Sequence, residues 1–164
     1  MRTAAALNKI KMLHEIPPRP IDPNSVIAEL EKLFRDVVGD QVSFRTSLDP
    51  RLGRISADRK ILQRVLVNLM VDTFRAMLVQ TVVIATSNVK LDHRSASEMN
   101  LSPGPYVQIE LGVRRTEVDA QPAIRNIVHQ AHGAVWVRDA GTEGVNVTIL
   151  LPRFNPAPQR GTAL

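Results

Sequence analysis

The sequence predicts a two-layer α/β sandwich, a mixed and mostly antiparallel sheet with three helices on one face. Two observations predict it. Three stretches carry apolar residues three and four apart, the period of a helix with one buried face. Six other stretches alternate in polarity or are rich in β-branched residues, and they fall in pairs after each helix, giving the order α-β-β-α-β-β-α-β-β. Strand pairs separated by helices bury their faces as one sheet under one helical layer. The 164 residues are enough for a single core of this kind.

Met1 to Leu13 has the spacing of a short helix, with Ala4, Leu7, Ile10 and Leu13 on one side; alone it is too short to hold. Pro17, Pro18 and Pro20 end it and enforce an extended arm. Residues 1–22 are therefore read as a helix remnant and a proline-rich connector, 23–153 as the domain, and 154–164, with Pro156, Pro158 and Gly161, as a flexible tail.

Within the domain, Pro23 to Val38 is the first helix. Proline suits its first turn, Val26, Ile27, Leu30, Leu33, Phe34 and Val37 make its apolar face, and Gly39 fits its C-terminal cap. Gln41 to Ser47 alternates as a half-buried strand, Leu48 to Gly53 is a turn, and Arg54 to Ala57 is a short strand. Asp58 then caps a long helix to Met77 whose stripe is Ile61, Leu62, Val65, Leu66, Leu69 and Met70. Thr81 to Asn88 is a strand, Lys90 to Gly104 a polar loop containing a solvated His93, and Pro105 to Val113 the next strand. Pro122 to Gly133 is the last helix. Two alternating strands follow around a Gly141–Gly144 turn, with Trp136 as a packing residue.

Composition narrows the function. Aromatic residues are 4%, too few for base-stacking platforms, and the arginines behind the net charge of +5 are scattered, which argues against a nucleic-acid partner. There are no cysteines for disulfides or cysteine-bound zinc. No apolar run is long enough to span a bilayer and the N-terminus lacks a secretory pattern, so the expectation is a cytoplasmic chain without membrane insertion.

The candidate site lies on the long helix. Asn68 and Asp72 are four apart and project from one face, so their oxygens could hold a hydrated Mg²⁺; on spacing alone the solvent face of a core helix fits them better. Arg75 lies within one turn of both and can meet a phosphate or pair with Asp72. His129 and His132, three apart, could bind metal only with a third ligand that the sequence does not supply; a capping or surface role fits them better.

Arg64 to Met77, RVLVNLMVDTFRAM, resembles the asparagine box of the sensor histidine kinase ATPase domain, in the gyrase, Hsp90, histidine kinase and MutL ATPase superfamily. The Leu48-Asp49-Pro50-Arg51-Leu52 turn, the Pro105-Tyr106-Val107 strand, the Ile124–Gly133 helix and the closing hairpin resemble it too, over roughly residues 17–153. The resemblance implies the same fold, with Mg-ATP on Asn68, Asp72 and Arg75 and Asp72 as the Mg²⁺ ligand. It also implies protein partners of a two-component system: dimerisation and phosphotransfer helices and a response regulator.

The resemblance breaks at the nucleotide contacts. The family's adenine-reading aspartate falls on Val113, and Arg114, Arg115 and Thr116 follow without a glycine; valine cannot accept the hydrogen bond of an exocyclic amine. The lid shrinks to Glu117–Gln121 and its glycines are missing. His14 and Glu15 match the phospho-acceptor box poorly, because the prolines come too early. The expectation is a degenerate kinase-type ATPase domain with weak or no ATP binding, acting as a regulatory or docking module in a phosphorelay, a pseudokinase. The alternative is an active catalytic domain that transfers phosphoryl to a histidine on a partner helix. A phosphotransfer adaptor would need an upstream helical pair. Whether the chain is an enzyme stays open between these readings.

Overall fold

A computed structural model describes residues 19–39, 42–75, 81–113, 122–139 and 145–155. The expected helix at Met1–Leu13, the lid at Glu117–Gln121, the Gly141–Gly144 turn and the tail from Pro156 lie outside the described residues.

The chain runs β1 (Pro20–Ile21), α1 (Pro23–Val38), β2 (Ser43–Ser47), β3 (Ile55–Ser56), α2 (Arg59–Arg75), β4 (Thr81–Leu91), α3 (His93–Glu98), β5 (Gly104–Val113), α4 (Pro122–Gln130), β6 (Ala134–Asp139) and β7 (Val145–Pro152). Five strands form one sheet in the order β2-β4-β5-β7-β6. Only β2–β4 is parallel, and α2 makes the crossover between them; the other three pairings are antiparallel. The mixed, mostly antiparallel sheet is the expected one. The expected strand at Arg54–Ala57 is shorter and lies outside it, paired antiparallel with Pro20–Ile21 of the connector.

Pleating sorts the sheet's residues into two faces. One face carries Phe44, Val82, Ile84, Val107, Ile109, Leu111, Val147, Ile149 and Leu151. It is buried against Val26, Ile27, Leu30 and Phe34 of α1, Leu62, Val65, Leu66, Leu69 and Met70 of α2, and Ile124 and Val128 of α4. These three helices are the predicted ones and bury most of the predicted stripes; Ile61, predicted in the α2 stripe, is instead 43% exposed at the helix's first turn. Their starts have local causes. The Asp22 carboxylate accepts from the Asn24 backbone N–H at 2.9 Å, and Asp58 accepts from Lys60 at 2.7 Å. Leu33 and Val37, predicted as core, are exposed on the outer side of α1.

The segment expected to be a loop from Lys90 to Gly104 instead extends β4 to Leu91 and then forms α3. Asp92 caps α3 by accepting from Ser95 N–H at 2.7 Å. The backbone N–H and hydroxyl of Ser95 hold the Asp92 carboxyl below the usual carboxylate range. That support is present above the ordinary range and is lost as pH falls through the lowered value. Ala96, Leu91, Tyr106 and Leu150 form a second small core, with Val89, Leu101 and Trp136 packed on it. By strand alternation these residues face away from the three large helices, so α3 covers one corner of the sheet's other face. The polar composition hid a helix whose burial amounts to Ala96.

Helices α3 and α4 end alike. Leu101 N–H reaches Ala96 C=O at 2.8 Å and Asn100 N–H reaches Ser97 C=O; Gly133 N–H reaches Val128 C=O at 3.0 Å and His132 N–H reaches His129 C=O. This six-to-one and five-to-two pattern needs a left-handed residue in the middle. Asn100 and His132 occupy it, each at φ 56°. Asparagine tolerates that conformation; histidine does so less well. Gly133 has a different constraint, since a Cβ there would fall 2.3 Å from the Leu150 carbonyl oxygen. His132→Gly is therefore expected to raise stability by about 1 kcal/mol, and Gly133→Ala to lower it by about 2 kcal/mol or more. Urea unfolding of both variants checks the pair; equal midpoints would refute the assignment of these two positions.

Candidate functional site

α2 brings the three expected nucleotide ligands onto successive turns. Asn68 is half-buried beside the core residues Leu69 and Met70, which fix the rotation of the helix. Asp72 follows one turn later and Arg75 ends the helix; their side chains lie outside the described residues.

Strand register shows what meets these turns. α2 ends at Arg75, and Thr81, six residues on, starts β4, so the end of α2 and the start of β4 lie at one edge of the sandwich. Val82 pairs with Val113, Val113 with Val145, and Val145 with Asp139. The C-terminal end of β5, where the family pattern calls for an aspartate, is thus at the same end as Asp72 and Arg75. Val113 is the last residue of β5, as expected from the sequence. The glycine-less Arg114–Thr116 segment after it lies outside the described residues. Without the carboxylate, that end offers no acceptor for an exocyclic amine at position 113.

Between α1 and β4 the turn Leu48–Gly53 is held by a polar network that sequence reading did not find. The Thr86 hydroxyl accepts from Asp49 N–H at 3.0 Å and donates to the Asn24 side-chain oxygen at 2.9 Å. The Asn24 amide donates to Asp49 C=O at 2.8 Å. The Asn88 amide donates to the Asp49 carboxylate at 2.9 Å and to Arg51 C=O, and the Asn88 oxygen accepts from Gly53 N–H at 2.8 Å. Thr86 and Asn88 belong to the helix-facing side of β4, where Val82 and Ile84 are core. The one available signal was that this face turns polar halfway along the strand. The network ties α1, the turn and β4 together, and its polar groups satisfy one another.

His129 and His132 are exposed, and no group of three or more His, Cys, Asp or Glu able to hold a metal is found among the described residues. They line a cleft of about 910 Å³ at the other end of the sheet, between the Met99–Pro103 segment with the start of β5, one side of α4 with the start of β6, and the end of β7. Arg125 and Arg153 line it as well. Nothing in the sequence pattern announced this cleft, because it joins three segments distant in sequence. His93 is exposed at the first turn of α3.

Removing the Asn88 amide leaves Gly53 N–H and the Asp49 carboxylate short of a partner. Asn88→Ala is therefore expected to cost about 1–3 kcal/mol, read as a lower urea midpoint with native helix content retained. An unchanged midpoint would show that the network does not hold the turn.

No protein-family model matches this chain, and no curated protein does. Solved structures match over most of its length. The histidine kinase AdeS of Acinetobacter baumannii superposes with a TM-score of 0.62 at 12% identity, covering 84% of this chain and 68% of that one. Histidine kinase ThkA, in complex with the response regulator TrrA, gives 0.63 at 16% identity, covering 82% of this chain and 41% of that one. The ATP binding domain of PrrB from Mycobacterium tuberculosis gives 0.61 at 12%, covering 83% and 97%. The chain therefore spans about two-fifths of the ThkA chain and nearly all of the PrrB domain. At such identities the likeness shows the fold: this chain has the fold of histidine kinase catalytic domains.

Proposed function

We propose that residues 23–153 form a degenerate histidine kinase-type ATPase module that has weak or no ATP binding and serves a two-component system as a regulatory or protein-docking part. Val113 carries the reading. It ends β5 at the same end of the sandwich as Asp72 and Arg75, and it replaces the one side chain that the family pattern uses to read adenine. A scaffold that loses its base-reading acceptor loses the interaction that distinguishes a nucleotide from any other polyphosphate. The shortened, glycine-free lid expected from Glu117–Gln121 acts in the same direction.

The similarity to ThkA bound to a response regulator supports a two-component partner; by this reading the partners are dimerisation and phosphotransfer helices and a response regulator, and the module works in the cytoplasm. No helix among the described residues is long and apolar enough to cross a membrane.

A second reading is an active catalytic domain that holds Mg-ATP on Asn68, Asp72 and Arg75. It is favoured by their position on successive turns of α2. Asp72 would bring an oxygen ligand for Mg²⁺ and an extra negative charge near the triphosphate. Calorimetric titration with ATP and ADP, with and without Mg²⁺, separates the two. The degenerate reading expects no saturable heat at millimolar nucleotide from folded protein. Micromolar, Mg²⁺-dependent binding that disappears in Asp72→Ala would overturn it in favour of the second.

A further inference from the structure

The cleft at the far end of the sheet is unused by either reading, and its chemistry is one-sided. Arg125, His129, His132 and Arg153 line it, and the described lining residues include no aspartate or glutamate. Arg125 and His129 are four apart on α4 and so stack along one face, with His132 closing the same end of the helix. Arg153 approaches from the end of β7. It lies over Gly53, whose missing side chain makes room for it: a Cβ there would fall 2.2 Å from the Arg153 Nε. Between these basic side chains the walls are apolar, with Leu101, Pro103, Pro105 and Val135. Two large apolar side chains stand partly in solvent at the rim, Met99 at 37% exposure in the lining and Phe154 at 36% next to Arg153.

The cleft is also preformed. Arg153 N–H bonds Pro105 C=O at 3.0 Å and Phe154 N–H bonds Arg54 C=O at 2.7 Å, which pins its floor. The two non-glycine residues with positive φ among the described ones, Asn100 and His132, both line it, in two different walls. At the His132 position glycine is the residue that helix ends favour. A histidine there costs stability and adds a polar group to the cleft.

We propose that this cleft is a docking groove for an extended segment of a partner protein in which carboxylates alternate with apolar side chains. The Arg125 and Arg153 guanidinium groups attract the carboxylates, the imidazoles of His129 and His132 offer them N–H donors, and the proline, leucine and valine walls accept the apolar side chains. An exposed array of this kind suits a protein segment better than a buried small molecule, because all four basic residues are exposed in the free domain. The inference rests on the docking-module reading and names the chemistry of the partner. N–H donors near a helix C-terminus also meet its carbonyl charge, so binding has to be read alongside stability.

Fluorescence anisotropy with a labelled peptide alternating glutamate and leucine tests it on the full chain. A glutamine–leucine peptide and inorganic pyrophosphate serve as comparisons. The expected result is saturable, salt-sensitive binding of the glutamate peptide only. His129→Gln should weaken it with the unfolding midpoint nearly retained, and His129→Glu should weaken it about tenfold or more, beyond what its small loss of midpoint from a carboxylate at the helix C-terminus explains. His132→Gly should weaken it while raising the midpoint, a combination that a purely structural histidine would not produce. Binding unchanged in all three variants, no binding of the peptide to folded protein, or equally tight binding of pyrophosphate alone would each overturn the proposal, the last in favour of a small anion. Mg-ATP titrated into the same samples keeps the two readings apart. Micromolar nucleotide binding would remove the degenerate-module reading and leave the groove standing, whereas loss of peptide binding alone would remove the groove.

Discussion

The domain depends on one apolar layer, formed where the odd-numbered residues of β5 and β7 meet α1, α2 and α4. Val107, Ile109 and Leu111 pair across the ladder with Leu151, Ile149 and Val147, and all six are buried. Each such side chain contributes about 1.5–3 kcal/mol when removed from water. A slip of one residue would turn the whole row to the other face of the sheet. Register and helix placement are therefore a single constraint. The same constraint sets what lies at each end of the sheet, since every strand is read in or out of the core from these pairs.

The two ends are built for different chemistry. At one, the last turns of α2, which carry Asn68, Asp72 and Arg75 in the chain, and the last residue of β5, Val113, lie at the same end of the sheet. Neighbouring turns of a helix can gather oxygen ligands and a cation, but a base needs a complementary acceptor, and valine has none. At the other end, Arg125, His129, His132 and Arg153 come together from a helix and a strand terminus, around apolar walls. That end needs no catalytic geometry to attract a carboxylate; it needs guanidinium groups and N–H donors held apart by a rigid backbone. The paired terminations of α3 and α4 and the strand-end bonds of Arg153 and Phe154 supply the rigidity.

Between the ends, the Asp49 turn shows how a polar cluster can sit against a core without cost. Thr86 is buried, and Asn24 and Asn88 are partly so. A buried amide or hydroxyl without partners would be strongly unfavourable. Here each group meets a complement from another segment, and no buried side-chain nitrogen or oxygen is without a partner among the described residues. The turn thereby joins the N-terminus of α1 to the middle of β4, and this carries the connector strand Pro20–Ile21 into contact with Ile55–Ser56.

What the sequence by itself determined was whatever repeats along the chain. The helical stripes of Pro23–Val38, Arg59–Arg75 and Pro122–Gln130 and the alternation of the main strands announce themselves, because each element's burial pattern is written at its own period. The absence of an aspartate at Val113 is equally plain, since one residue type decides it. Tertiary structure decided whatever depends on residues far apart. Leu33 and Val37 keep the helical spacing of the core stripe, yet they lie on the side of α1 that no described strand or helix covers. The helix His93–Glu98 has almost no apolar signal, and it holds because Asp92 caps it and Leu101 and Ala96 reach Tyr106 and Leu150 on the sheet's other face. The polar network spans Asn24 to Asn88, and the basic cleft spans Met99 to Asn155. Partners so distant meet only after the chain has packed, because periodicity reports which way a side chain faces and carries no information about what it will face.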